Sequence, residues 1–350
     1  MNLIKNKKEN GLEYFVWIFY FLMCYPLFYF SYKYSLYDFG GKDFEDYYYL
    51  YKDWDFEKVR CPFNMRIISA FLIHLFYLIG FKYGTENVFM LVHQDKYDNQ
   101  VFFNAILVNS IGVFFTCIMI FKTVYSQQNN FYLALISGLL YLLGFGTFIF
   151  SFKPLSESIG ILIFAIAFYF YIKRSAYVYL LLLISVFQRE YILVAFGLMS
   201  FVEYFFKKDK FYLKVLVASI VFFGFYYYLR MSVFYTPDFV SQIDFKMLLK
   251  QNLSFQNFNF GEFFKQSFLI SNLFIFYLVI LFINRLKEIS INYIDFIIVL
   301  TWFLVTIIMS IVAHFGNNVG RYFYYTSPAL IYFISVELKK IFKIHNQTSI

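Results

Sequence analysis

Charge is scarce in this 350-residue chain: 15% of residues are charged, whereas 61% are hydrophobic and 26% aromatic. Such a balance lies far outside soluble globular composition, and no single aqueous core could hide that many apolar side chains. The long uncharged runs approach the length needed to cross about 30 Å of hydrocarbon, which predicts a membrane protein. Cysteine is nearly absent. Cys24, Cys61 and Cys117 are scattered and odd in number, and two of them lie in apolar runs, so neither a disulfide framework nor a metal cluster is indicated. No Pro-rich linker, internal repeat or separate soluble stretch divides residues 1–350, so they read as a single integral membrane domain. There is no Walker loop, no GxSxG elbow and no dinucleotide fingerprint, and His74, His93 and His345 lack metal-ligand spacing. The apolar runs also lack the interleaved basic residues that would turn aromatics into a nucleic-acid platform.

What is present is a series of apolar runs bounded by charged or turn residues. The opening "MNLIKNKKENG" is basic and leads into an aromatic run with no small-residue cleavage site, so 13–31 reads as a retained span that starts inside. Further spans are expected over 101–121, 131–150, 156–172, 176–187, 191–206, 212–232, 268–284, 293–313 and 322–338, giving an all-α polytopic helical bundle of about ten spans. This count puts Lys122, Lys173 with Arg174, "KKDK" at 207–210, Arg285 with Lys287, and Lys339, Lys340 and Lys343 on the cytoplasmic face, with both termini. Residues 66–82 read as an amphipathic or re-entrant helix at the outer surface, because counting them as a span would invert the later basic loops. "QRE" at 188–190 reads as a break within the outer half of the membrane, tolerated only beside a polar cavity. Three outer segments remain: 32–65, 233–267 with an "NLS" triplet, and "HFGNNVGRY" at 314–322.

Chemistry concentrates on that outer side. In "GGKDFEDYYYLYKDWD", a short helix over 42–51 puts Asp43, Asp46 and Tyr47 on one face, at i, i+3 and i+4. Two crowded carboxylates near a low-dielectric boundary suit a general base; the competing reading is a solvated acidic loop. "FKPLSESIGILIF" at 152–164 carries Lys153 and Glu157 at the mouth of a span. "FQREYILVAF" carries Arg189 and Glu190 between apolar helices, where a guanidinium needs a carboxylate or a phosphate partner. An ion pair of Arg189 with Glu190 or Glu157 that only locks helices is the alternative. His314 and Arg321 follow in the last outer loop, and Arg66 follows "CPFNM"; each arginine suits either a phosphate or an interfacial anchor.

The order of these motifs resembles the GT-C superfamily of polytopic membrane glycosyltransferases. An inside-starting span is followed by "DFEDYYYLY", "PFNMRIISAFLIHLF", "KPLSESIGILIFAIAFYFYIKR", "QREYILVAF" and "GRYFYYTSPALIYF", over most of residues 13–335. The resemblance implies transfer of a sugar from a polyprenyl-phosphate donor to a glycan, lipid or protein acceptor on the outer face of the membrane. Asp43 matches the aspartate followed four residues later by tyrosine and is implied as catalytic base, with Asp46 in reserve. Arg189 and Arg321 are implied as donor-phosphate ligands, with Tyr47, Arg66, Lys153, Glu157, Glu190 and His314 in support. Some members use a divalent cation, which the Asp43–Asp46 pair would host, although no ligand set in the sequence demands one. The chain departs from better-known members in lacking an acidic "DE" pair at the start of the loop and a large soluble C-terminal domain. Two other functions fit the same features: a transporter or flippase of lipid-linked saccharide, and an O-antigen-type polymerase.

Overall fold

The computed structural model describes residues 2–34, 41–81, 97–234, 260–265, 271–314 and 319–348. Every regular element among them is helical, the short α10 (Phe260–Lys265) included. The centre is α4 (Asn99–Gln128), 30 residues long or about 45 Å, which packs against α1 (Asn2–Tyr34), α3 (Ile67–Ile79), α5 (Phe131–Leu142) and α6 (Glu157–Ile172). Its most apolar window is 78% buried, against 28% for the span of α1 and 22% for α9 (Lys210–Ser232). That difference decides their places. An apolar helix buried all round forms the core, whereas α1 and α9 turn most of their apolar surface outward, as a lipid-facing helix does. These three helices are long and apolar enough to cross a membrane. Five further apolar helices or helix segments of 10–17 residues accompany them: α3, α5, α6, α11 (Asn272–Leu286) and the Tyr293–Met309 part of α12 (Tyr293–His314).

Short caps make the reversals tight. Asp98, Asn130 and Asp209 accept backbone N–H bonds from Gln100, Leu133 and Phe211, so each supplies the acceptor that an opening helix turn lacks. Asn129 and Lys208 close the preceding helices in the left-handed conformation, at φ 49° and 52°. Antiparallel pairs result, α4 with α5 and α8 (Glu190–Lys207) with α9. Gly138 on α5 is needed for packing on α1, since a Cβ there would come within 2.1 Å of the Tyr20 hydroxyl oxygen.

Several expected spans take a different form. Residues 131–150 are not one helix. α5 closes after Leu142 with the Gly144 amide donating to the Tyr141 carbonyl, the Thr147 hydroxyl also bonds that carbonyl, and a separate π turn covers Thr147–Ser151. Residues 176–187 yield α7 (Tyr177–Ser185), nine residues long, and the expected break follows, with Arg189 extended at φ −158°, ψ 115°. α3 has 13 residues, about 20 Å, and ends at Gly80 with φ 84°, so it is too short to cross about 30 Å of hydrocarbon unaided. The last expected span starts later, at α14 (Ser327–Thr348), after the short α13 (Val319–Tyr324).

The basic turns converge on one end of the bundle. Arg174 pairs with Asp209 at 2.8 Å, joining the α6–α7 and α8–α9 turns. Lys339 of α14 donates to the Gln128 carbonyl at the end of α4, and Lys340 donates to the Ser290 carbonyl between α11 and α12. Lys122 lies 3.7 Å from Glu13 of α1. The starts of α6 and α8 lie at the opposite end, together with α2 (Gly41–Asp53) and the 3-10 turn Phe63–Met65.

Candidate functional site

At that opposite end, a carboxylate at the first residue of α6 meets guanidiniums from two other parts of the chain. Glu157 is fully buried, and its Oε1 accepts from Arg189 Nη2 and from Arg321, whose Nε is 2.7 Å away. Arg189 is the residue before α8 and Arg321 lies on α13, 164 positions from Glu157 in sequence. Arg66, the residue before α3, completes the group. It lies within electrostatic range of Arg189, Arg321, Glu157 and Glu190, and its guanidinium packs 5.5 Å from the Tyr47 ring and 4.9 Å from the Phe63 ring. Arg230, in the last turn of α9, faces Glu190 and Cys61. Among the described residues, four guanidiniums thus lie within electrostatic range of one or both of two carboxylates. Desolvating such a surplus is costly, and an anion is its natural complement.

The frame that holds these charges is polar and local. Gln188, 1% exposed, accepts from the Ser69 amide at 3.0 Å and donates to the Ser69 hydroxyl at 3.1 Å and the Ser156 carbonyl at 2.7 Å. One side chain thus ties together the first turn of α3, the residue before α6 and the residue before Arg189. Asn109, buried on α4, donates to the carbonyls of Lys153 and Leu155 and accepts from the Ser158 hydroxyl, fixing the loop that delivers Glu157. Gly160 brings α6 close to its neighbours: a Cβ there would stand 2.8 Å from the Tyr325 ring and 3.3 Å from the Arg189 stem. The Arg189 guanidinium lies 5.6 Å from that same Tyr325 ring. Among the described residues, Arg66 Nη1, Arg189 Nε, Glu157 Oε2 and the Tyr191 and Tyr325 hydroxyls have no hydrogen-bond partner. Of the thirteen such buried atoms among the described residues, these five lie in or beside the charge cluster.

The sequence candidates distribute as follows. Glu157, Arg189, Arg321 and Arg66 come together, with Glu190 beside them. The alternatives for Arg189 resolve to Glu157 as its bonded carboxylate. Tyr47, fully buried on α2, reaches the same frame through a 3.1 Å contact of its hydroxyl with Ser156 Oγ and through the Arg66 guanidinium over its ring. Asp46 points elsewhere: its Oδ2 accepts from Arg60 Nη2 at 2.8 Å, where Arg60 is half exposed. Asp43 stands one helical turn before Tyr47 on α2, and its side chain lies outside the described residues. Asp55 accepts from the Glu57 amide and pairs with Lys58 at 2.9 Å, which holds its carboxyl below the usual aspartate range, so part of the acidic loop serves its own turn. Lys153 is buried in the loop before α6, and burial pushes its ammonium down to about 8. The His314 side chain, His93, the "NLS" triplet and most of 233–267 lie outside the described residues.

No three described His, Cys, Asp or Glu side chains come together as a cation set, and Asp46 is engaged by Arg60. Sequence reasoning overlooked Gln188, Asn109 and Arg230. The available signal for the first two was a lone amide inside or beside an apolar run, where an uncharged polar group must find a specific partner. Comparison of the chain with family models, curated proteins and solved structures gives no match.

Proposed function

We propose that this chain is an integral membrane glycosyltransferase that moves a sugar from a polyprenyl-phosphate donor to an acceptor on the outer face of the membrane. In this reading the bundle has about ten spans, its lysine-rich end is cytoplasmic and the Arg189–Glu157–Arg321 end faces outward. The acceptor hydroxyl or amine attacks the anomeric carbon, the sugar–phosphate C–O bond breaks, and polyprenyl phosphate leaves with the electron pair. Asp43 takes the acceptor proton, with Asp46 as reserve, and Arg189 and Arg321 neutralise the departing phosphate. Arg66 adds charge from behind, while Glu157 holds the two phosphate-facing guanidiniums in register. The acceptor class is a glycan, a lipid or a protein.

One observation carries the reading: a buried cluster of guanidiniums, with unpartnered donor atoms on Arg66 and Arg189 among the described residues, gathered at the end of the bundle where the acid-bearing α2 packs. A planar guanidinium fork matches phosphate oxygens better than it matches a lone carboxylate oxygen. The test is sugar transfer from a radiolabelled polyprenyl-phosphate sugar by the purified protein, comparing wild type with Asp43→Asn, Asp46→Asn and Arg189→Gln. Loss of turnover in Asp43→Asn and Arg189→Gln is expected. Full turnover in both aspartate variants removes the base assignment. Movement of the labelled lipid across proteoliposomes with its sugar intact supports a flippase instead, and long products of repeating units support a polymerase.

A further inference from the structure

A groove of about 410 Å³ lies at the opposite, lysine-rich end, where α1, α4, α5 and α6 meet. It is separate from the arginine cluster: Tyr169, which lines it, is twelve residues beyond Glu157 on α6, about 18 Å along the axis. Its wall is aromatic. Phe121 stacks on Tyr125 at 5.6 Å and meets Phe131 edge-on at 5.7 Å. Its mouth is cationic: Lys122 lines it, Lys173 holds its ammonium 5.9 Å from the Tyr169 ring, and Lys339 binds the Gln128 carbonyl two residues past the lining Ser126. Among the described residues, Glu13 is the one carboxylate lining the groove, and its 3.7 Å pairing with Lys122 is loose, both side chains being well exposed.

The groove opens onto an apolar track. Leu12 lines it, and Phe15, Ile18 and Leu22 continue at helical spacing along α1, exposed by 49%, 60% and 61%. The Phe15 ring lies 6.3 Å from that of Phe131, so track and wall are continuous. A cationic mouth joined to an outward apolar stripe on a helix long enough to cross a membrane matches an amphiphile with one anionic head. We propose that this groove binds an anionic phospholipid of the adjoining leaflet, its phosphate against Lys122 and an acyl chain along Phe15, Ile18 and Leu22. A free phosphate shares the headgroup chemistry but leaves the track unused. The site is independent of the glycosyltransferase reading.

The experiment uses the full chain in neutral detergent. Phosphatidylglycerol, phosphatidylcholine and inorganic phosphate are titrated separately, with thermal midpoint and lipid retention in native mass spectrometry as readouts. Phosphatidylglycerol is expected to raise the midpoint and stay bound at one copy, and the other two to do neither. Lys122→Gln is expected to weaken its binding about fivefold, the effect of one lysine near an anionic headgroup. Ser126→Trp, which keeps every charge and fills the groove, is expected to abolish retention and serves if Lys122→Gln does not fold. Lys208→Gln, at the α8–α9 turn of the same end, is expected to bind as wild type does. Equal effects of the two lipids, a shift from phosphate alone, equal loss in Lys122→Gln and Lys208→Gln, or retention by Ser126→Trp would each overturn the proposal.

Discussion

Replacing Glu157 by Gln keeps the size and one acceptor oxygen of the side chain but removes the charge that Arg189 and Arg321 share. Glu157 is fully buried and Arg189 nearly so, and Arg66 lies within electrostatic range of both, so little solvent screens the uncovered guanidiniums. Breaking a buried pair by removing one partner costs about 3–5 kcal/mol, and here one carboxylate oxygen serves two cations, which points to the upper part of that range. Among the described residues, counting Arg66, Arg189, Arg230 and Arg321 against Glu157 and Glu190, the surplus rises from two positive charges to three. Removing Arg189 as well should therefore restore part of the loss. The assay is a double-mutant cycle of Glu157→Gln and Arg189→Met, unfolded by SDS in mixed micelles and followed by circular dichroism. The double variant is expected to be more stable than Glu157→Gln alone, with a coupling of at least ~2 kcal/mol. Added phosphate is expected to stabilise Glu157→Gln more than wild type, because an anion can occupy the place the carboxylate gave up. A Glu157→Gln protein within about 1 kcal/mol of wild type, with no coupling to Arg189, would refute the view that this carboxylate organises the cluster.

Gln188→Leu strips the partner from the Ser69 amide and one of two donors from the Ser156 carbonyl, which keeps the Gly160 amide, and a cost of roughly 1–3 kcal/mol for the unsatisfied amide is expected in the same unfolding assay. Gly160→Val drives a side chain into the Tyr325 ring and the Arg189 stem, so a loss of roughly 1–3 kcal/mol is expected, read as a lower thermal midpoint. Lys153 has its pKa lowered in the folded state to about 8, so between that value and the ordinary 10.5 the unfolded chain binds more protons and stability rises with pH. Relative to Lys153→Met, wild type is expected to gain on the order of 3 kcal/mol from pH 8 to 10.5, following the pKa difference, and parallel pH profiles would contradict this.

Composition determined the class of the molecule: with so few charges and so many apolar side chains, helices that satisfy their own backbone and bury or expose apolar faces to lipid are the available solution. The distribution of basic residues among the turns also anticipated that Lys122, Arg174, Lys207 and Lys339 gather at one end of the bundle. The acidic stretch 40–55 was legible as a helix but not in its detail. Asp46 turns to Arg60, whereas its neighbour Tyr47 turns inward to Arg66, and helical spacing alone cannot tell which side of α2 meets the bundle. Arg189 and Glu157 stood out in sequence as charges in apolar surroundings, yet their pairing required three separate segments to close on one point. Only tertiary packing decided that Arg321, 164 residues from Glu157, would share its carboxylate oxygen, and that Gln188 would bind two segments while setting the place of the next residue. A hydrophobic pattern specifies where helices form and which are apolar enough for lipid, since those depend on local transfer energies. Which polar groups meet depends on how helices rotate and pack, and no local property of the sequence records that.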